Sequence, residues 1–200
     1  GHRAHAAHQP HAGAAAGHGL VHAAIQRGIK RHGGLGAQGG ARGVLALGHR
    51  HIAMVSANDA RARARVAAFA ARAEALDLPV VPAAFTTAPS TMGAGRAGLA
   101  DLLARSPQVT AVFCSSDMLA LGASIEARER GISIPQQLAI VGLGDQGFAA
   151  DAAPPLTTVR IDGTRIGRTA AEMVVARVDG QPHEDAVVDI GFSIVERLSA

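Results

Sequence analysis

Residues 111–135 read AVFCSSDMLALGASIEARERGISIP, and residues 138–145 read LAIVGLGD. The apolar run Thr110–Cys114 stops at two hydroxyls and an acid. Beyond them the apolar spacing changes to intervals of three and four, with Met118, Leu121 and Ile125 on one face. The first run reads as a buried strand and the second as a helix. Ser115 or Ser116 can cap that helix, because a hydroxyl oxygen there accepts an orphan N–H of the first turn. Asp117 sits in the first turn, where the helix dipole favours an acid. The helix is predicted to run through Arg130, and Gly131 suits the left-handed residue that closes it. Leu138–Leu143 is the next strand. Strands that are apolar throughout, joined by helices, predict a parallel sheet covered on both faces.

The same unit recurs upstream. His51–Ala57 predicts a strand, and Asp59–Leu76 a helix with Val66, Phe69, Ala73 and Leu76 at helical intervals. Val80–Phe85 follows as a strand, and Ser90 is the expected cap of a helix reaching Arg105. After Asp145 the rhythm changes. Thr157–Ile161 predicts a short strand, and Thr164–Val178 a helix with Ile166, Ala170, Met173 and Val174 inward. Val187–Val195 reads as one strand or two short ones, and these last elements are candidates for a second lobe.

Residues 1–48 have another texture. Eleven glycines fall within residues 1–43, and large apolar side chains are few. Leu20, Val21, Ile25 and Ile29 suggest one short helical stripe, and GGLGAQGGARG at 33–43 reads as linker or disorder. All acids lie at or beyond Asp59, whereas residues 1–58 carry six Arg/Lys and nine His. The basic character therefore belongs to this segment, and without an amphipathic basic helix it is weak support for nucleic-acid binding. His2, His5, His8 and His11 recur every three residues, yet no converging acid or cysteine set completes a metal site. Cys114 is the only cysteine, which excludes an intrachain disulfide. No secretory leader and no long apolar span is apparent, so the expectation is a cytoplasmic protein with no membrane partner.

In open parallel sheets, ligands bind beyond the carboxyl ends of the strands. The polar groups there are Asn58 and Asp59, Thr86 and Thr87, Ser115 to Asp117, and Gly144 to Gln146. Enzyme signatures are lacking: there is no nucleophile elbow, P-loop or HExxH. GLGDQG at 142–147 lacks the full dinucleotide-binding spacing and precedes a proline-rich stretch rather than a long helix.

Several stretches together carry a resemblance: LGHRHIAMVS at 47–56, Arg65 with Phe69, 111–135 and 138–145 as quoted, PPLTTVR at 154–160, GRTAAEMVVARVDG at 167–180, and ERLS at 196–199. In order and spacing they resemble the effector-binding domain of the lactose-repressor family of bacterial transcription regulators, whose fold is similar to that of periplasmic sugar-binding proteins. The resemblance implies an α/β, parallel-sheet, periplasmic-binding-protein-like domain with one well-supported lobe and a partial second lobe. Residues 49–157 would form the C-terminal effector subdomain. Residues 158–200 would be crossover and return elements, partly in the N-terminal subdomain, of which 1–48 would be a remnant.

The resemblance also implies a role: a small sugar or sugar acid binds in an interlobe cleft and is coupled to operator DNA through a headpiece lying outside this sequence. It implies no enzyme activity and no cofactor or metal, and it implies a homodimer. A stand-alone or periplasmic solute-binding protein is the alternative on the same fold. Arg65 matches the family's effector-contacting arginine, with Ala68 in place of the usual glycine. Ser116 stands where sugar-binding members usually carry Asn, and Asp117 matches the acid of the motif. Asn58 and Asp145 complete the candidate ligand-binding set. Gly144 is the main departure, since many members have an acid there that grips effector hydroxyls. Its loss leaves Arg65 less neutralised, which suits an acidic effector.

Overall fold

The computed structural model describes residues 48–79, 81–180 and 188–200. The expectations for residues 1–47, for Val80 and for Val187 fall outside them. Six strands form one sheet in the order β2-β1-β3-β4-β5-β6. They are β1 (Ile52–Ala57), β2 (Ala83–Thr86), β3 (Ala111–Cys114), β4 (Ala139–Leu143), β5 (Thr157–Arg160) and β6 (Ser193–Val195). Strands β1 to β5 pair in parallel, and β6 pairs antiparallel with β5 through Val159 opposite Ile194. The sheet is thus parallel with one antiparallel edge, and the last two strands both join it.

Among the described residues four α-helices accompany the strands: α1 (Ala60–Glu74), α2 (Met92–Arg105), α3 (Asp117–Glu129) and α4 (Gly163–Val178). Each starts at a side-chain cap. Asp59 accepts from the Ala62 N–H, Thr91 from Ala94, Ser116 from Leu119, and Asp162 from Arg165. Thr91, not Ser90, caps α2. Either hydroxyl could serve by type, and the helix begins one residue later than expected.

The core lies on both faces of the sheet. Val55, Leu99, Leu102, Val112, Leu119 and Ile140 fill one side; Met54, Phe69, Phe113 and Val141 fill the other. The rings of Phe69 and Phe113 stack with centroids 5.5 Å apart. On α3 the buried arc is Leu119, Ala120, Ala123 and Ala127, whereas Met118, Leu121 and Ile125 are only half-buried. The small side chains win because α2 crosses α3 closely. A Cβ on Gly122 would lie 2.0 Å from the Met92 carbonyl oxygen, and one on Gly95 would lie 2.2 Å from that of Leu119.

Helix α4 also departs from expectation. None of its residues is buried; Ile166 and Val174 are exposed, and Ala170 and Met173 only partly covered. Its apolar stripe is present as the spacing requires, but no described element packs closely upon it. A Cβ on Gly167 would meet nothing within 4 Å, so that glycine does not serve a close helix contact among the described residues.

Candidate functional site

The strand order reverses between β1 and β3, since β2 lies on one side of β1 and β3 on the other. Such a switch point opens a crevice at the carboxyl edge of the sheet, because the following helices pass to opposite faces. Asn58 and α1 follow β1, Ser116 follows β3, and Gly144 and Asp145 follow β4. The predicted residues therefore share one edge, but their side chains are engaged very differently.

Arg65 has unspent hydrogen-bonding capacity. Its Nε is buried and has no hydrogen-bond partner among the described residues. Side chains on a helix lean toward its N-terminus, so Arg65 is directed back toward the carboxyl edge. Burial lowers its pKa and Asp59 opposes that, with Arg61 adding to the lowering; an arginine remains charged all the same. A buried N–H without an acceptor is rare in folded proteins and calls for a partner. Asn58, by contrast, is exposed, and its Oδ1 accepts from Arg63 Nε at 2.8 Å.

Ser116 caps α3 and is half-buried, with its Oγ 3.3 Å from the Leu119 nitrogen. Asp117 is fully buried. Its Oδ1 accepts from the Thr158 hydroxyl at 2.6 Å, and its Oδ2 from the Gln146 N–H at 2.7 Å. Burial raises its pKa, against the pull of those two hydrogen bonds. Asp117 therefore ties the loop after β4 to β5. It needs Gly142 to do so: a Cβ there would stand 2.2 Å from its Oδ1.

Gly144 takes φ +132°, a conformation that L side chains avoid. Asp145 follows with φ +51°. Its carboxylate does not cap backbone; it binds two arginines, Arg160 through Oδ2 at 2.5 Å and Arg197 through Oδ1 at 2.8 Å. Burial would raise its pKa, but the hydrogen bonds from Arg197 and Arg160 outweigh that and hold the carboxyl below its ordinary value. Sequence reading singled out neither arginine. Arg160 lay inside the quoted PPLTTVR stretch, and Arg197 in ERLS, but nothing local marks them as partners of Asp145.

An open cavity of 590 Å³ adjoins these groups, lined in part by Gly144, Asp145, Arg160, Asp162, Gly191 and Phe192. That volume suits a small ligand. Among the described residues its lining includes Asp145 but not Asn58, Arg65, Ser116 or Asp117. The edge thus presents two neighbouring features, the Arg65 guanidinium at the β1/β3 switch point and a cavity beside β4, β5 and β6. No group of three His, Cys, Asp or Glu among the described residues could hold a metal. Chemically the edge offers cationic donors, while its acids Asp117 and Asp145 are already engaged.

Residues 41–200 match the family of periplasmic binding protein-like domains. The HTH-type transcriptional regulator GntR of Pseudomonas aeruginosa is 38% identical over 114 residues, which span 57% of this chain and 33% of that protein. The crystal structure of the transcription regulator GntR from Chromobacterium violaceum superposes with a TM-score of 0.77 at 32% identity, covering 84% of this chain and 63% of that one. The transcriptional regulator CelR in complex with cellobiose superposes with a TM-score of 0.73 at 26% identity, covering 86% and 52%. The region matched in the Pseudomonas regulator is thus about a third of its length.

Proposed function

Because the chain belongs to the periplasmic binding protein-like domain family, we propose that it is the effector-sensing portion of a bacterial transcription regulator. It binds a small sugar acid at the carboxyl edge of the sheet and couples that binding to operator DNA through a helix-turn-helix headpiece. The names of the matched regulators support the class of protein, and the cellobiose held by one of them supports a carbohydrate ligand. The role is binding rather than catalysis. The resemblance to the lactose-repressor family supports a cytoplasmic homodimer. No helix among the described residues is long and apolar enough to cross a membrane.

One observation carries the acidic ligand: the Nε of Arg65, buried and without a partner among the described residues. A neutral sugar needs acceptors for its hydroxyl protons, and among the described residues the two acids of the edge are already engaged. Gly144 has no side chain, Asp117 serves Thr158 and Gln146, and Asp145 serves two arginines. A guanidinium, in contrast, forms paired charge-assisted hydrogen bonds with a carboxylate. Ser116 adds a hydroxyl that can bond either kind of group. Ligand contraction of two lobe arrangements toward one would then be read by the headpiece.

The test is a thermal-shift panel of gluconate and related sugar acids, neutral pentoses and hexoses, and purines. A ligand at a hundred times its Kd stabilises the folded chain by about 2.7 kcal/mol. Selective stabilisation by a sugar acid, abolished in Arg65→Ala, is the expected result. Stabilisation by a neutral sugar alone would overturn the acidic reading.

A further inference from the structure

We propose that Asp145 is a conformational latch: its carboxylate fixes the attitude of α4 relative to the sheet by holding the outgoing and returning crossings of the chain together. The outgoing crossing leaves β5 at Arg160 and enters α4 two residues later at its cap, Asp162. The returning crossing comes in through β6 and reaches Arg197 two residues beyond it. Asp145 Oδ2 accepts from Arg160 Nε at 2.6 Å and Nη2 at 2.5 Å, a bidentate grip on one oxygen. Its Oδ1 accepts from Arg197 Nη2 at 2.8 Å.

Each member is anchored from behind. Arg197 donates from Nη1 to the Leu156 carbonyl at 2.8 Å and from its backbone N–H to Thr157 Oγ1 at 3.0 Å. The loop carrying Asp145 is held by the Gln146 N–H on Asp117 and the Gly144 N–H on the Val159 carbonyl. A residue kept at φ +51° persists where its surroundings over-determine it. Among the described residues none of the helix is buried, so within them the attachment at its base is what ties its direction to the sheet. Asp145 is a positioning residue in this account, and the latch is independent of which ligand the edge accepts.

Spin labels at Ala104→Cys on α2 and Val175→Cys on α4 of the full chain report the attitude of α4 by pulsed dipolar spectroscopy. Both positions are exposed, and Cys114 is buried with its thiol pKa pushed up, so it does not compete for the label. The latch predicts one narrow distance peak in the parent, and its loss to a broad or multiple distribution in Asp145→Asn and in Arg160→Gln. Arg160 is half-exposed and its replacement leaves the Asp145–Arg197 pair in place, so the second variant is the milder perturbation of the two. An unchanged peak in Arg160→Gln overturns the proposal. So does equal broadening in Leu102→Ala, a core variant far from the latch in sequence, which the proposal expects to lower Tm without moving the peak.

Discussion

Asp117 is the side chain on which the loop after β4 depends, and its removal is the most informative perturbation of the fold. Asp117→Ala strands one fully buried donor, the Thr158 hydroxyl, and also releases the N–H of the exposed Gln146, which water can satisfy. A buried donor left unsatisfied costs about 1–3 kcal/mol. Deleting the carboxylate also removes the penalty of keeping a buried charge, which offsets part of the loss. The net destabilisation should then be about 1–3 kcal/mol. Thr158→Val in the Asp117→Ala background removes the stranded donor and so restores stability. The double-mutant cycle should show a coupling of about 1–2 kcal/mol. Urea denaturation of the parent, both single variants and the double variant measures all four corners. Additive single-variant losses, with no coupling, would refute the reasoning, because the hydrogen bond at 2.6 Å would then contribute nothing.

Further outcomes follow from other contacts. Gly122→Ala puts a Cβ 2.0 Å from the Met92 carbonyl and should destabilise by about 1–3 kcal/mol in denaturant melts; Gly93→Ala, in the same helix pair with nothing within 4 Å, should not. Ser116→Ala should cost about 1 kcal/mol through the lost cap and Ser116→Gly only a few tenths, which equilibrium unfolding resolves. The pKa of Asp145 is depressed in the folded chain, so its contribution to stability is fully present above the ordinary aspartate value and is lost as pH falls toward the folded one. The stability gap between the parent and Asp145→Asn should accordingly close on acidification; a gap that widens would contradict the two arginine contacts. Asp117 works in the opposite sense, its raised pKa making the charged form a cost as pH rises, so the difference between variants is the informative quantity.

The strands were legible because Ile52–Ala57, Ala111–Cys114 and Ala139–Leu143 are apolar on both faces, as a covered parallel sheet demands. Cap chemistry narrowed the start of α3 to Ser115 or Ser116, of which Ser116 serves, since an orphan N–H and a short polar side chain meet within three residues. Features set by contacts distant in sequence were not legible. Asp145 and Arg197 are 52 residues apart, and their pairing depends on the way β6 returns to the sheet. The buried arc of α3 is made of alanines because a neighbouring helix backbone comes close at Gly122, a constraint that periodicity of large apolar residues cannot reveal. On α4 the periodicity is real but reports only that a face is apolar, not what covers it. At the candidate site, the family resemblance suggested Arg65, but only the structure distinguishes it from Asp117 and Asp145, whose carboxylates are already engaged.

The central claim is that Arg65 receives an acidic ligand, and the Arg65 Nε–H signal tests it most directly. The chain is labelled with ¹⁵N at arginine and titrated with gluconate, with glucose as the neutral counterpart. The account predicts that gluconate moves the Arg65 Nε–H resonance and slows its exchange with water, in step with saturation, while glucose leaves it unchanged. Saturable gluconate binding with that resonance unmoved, or equal binding by Arg65→Ala, would contradict it.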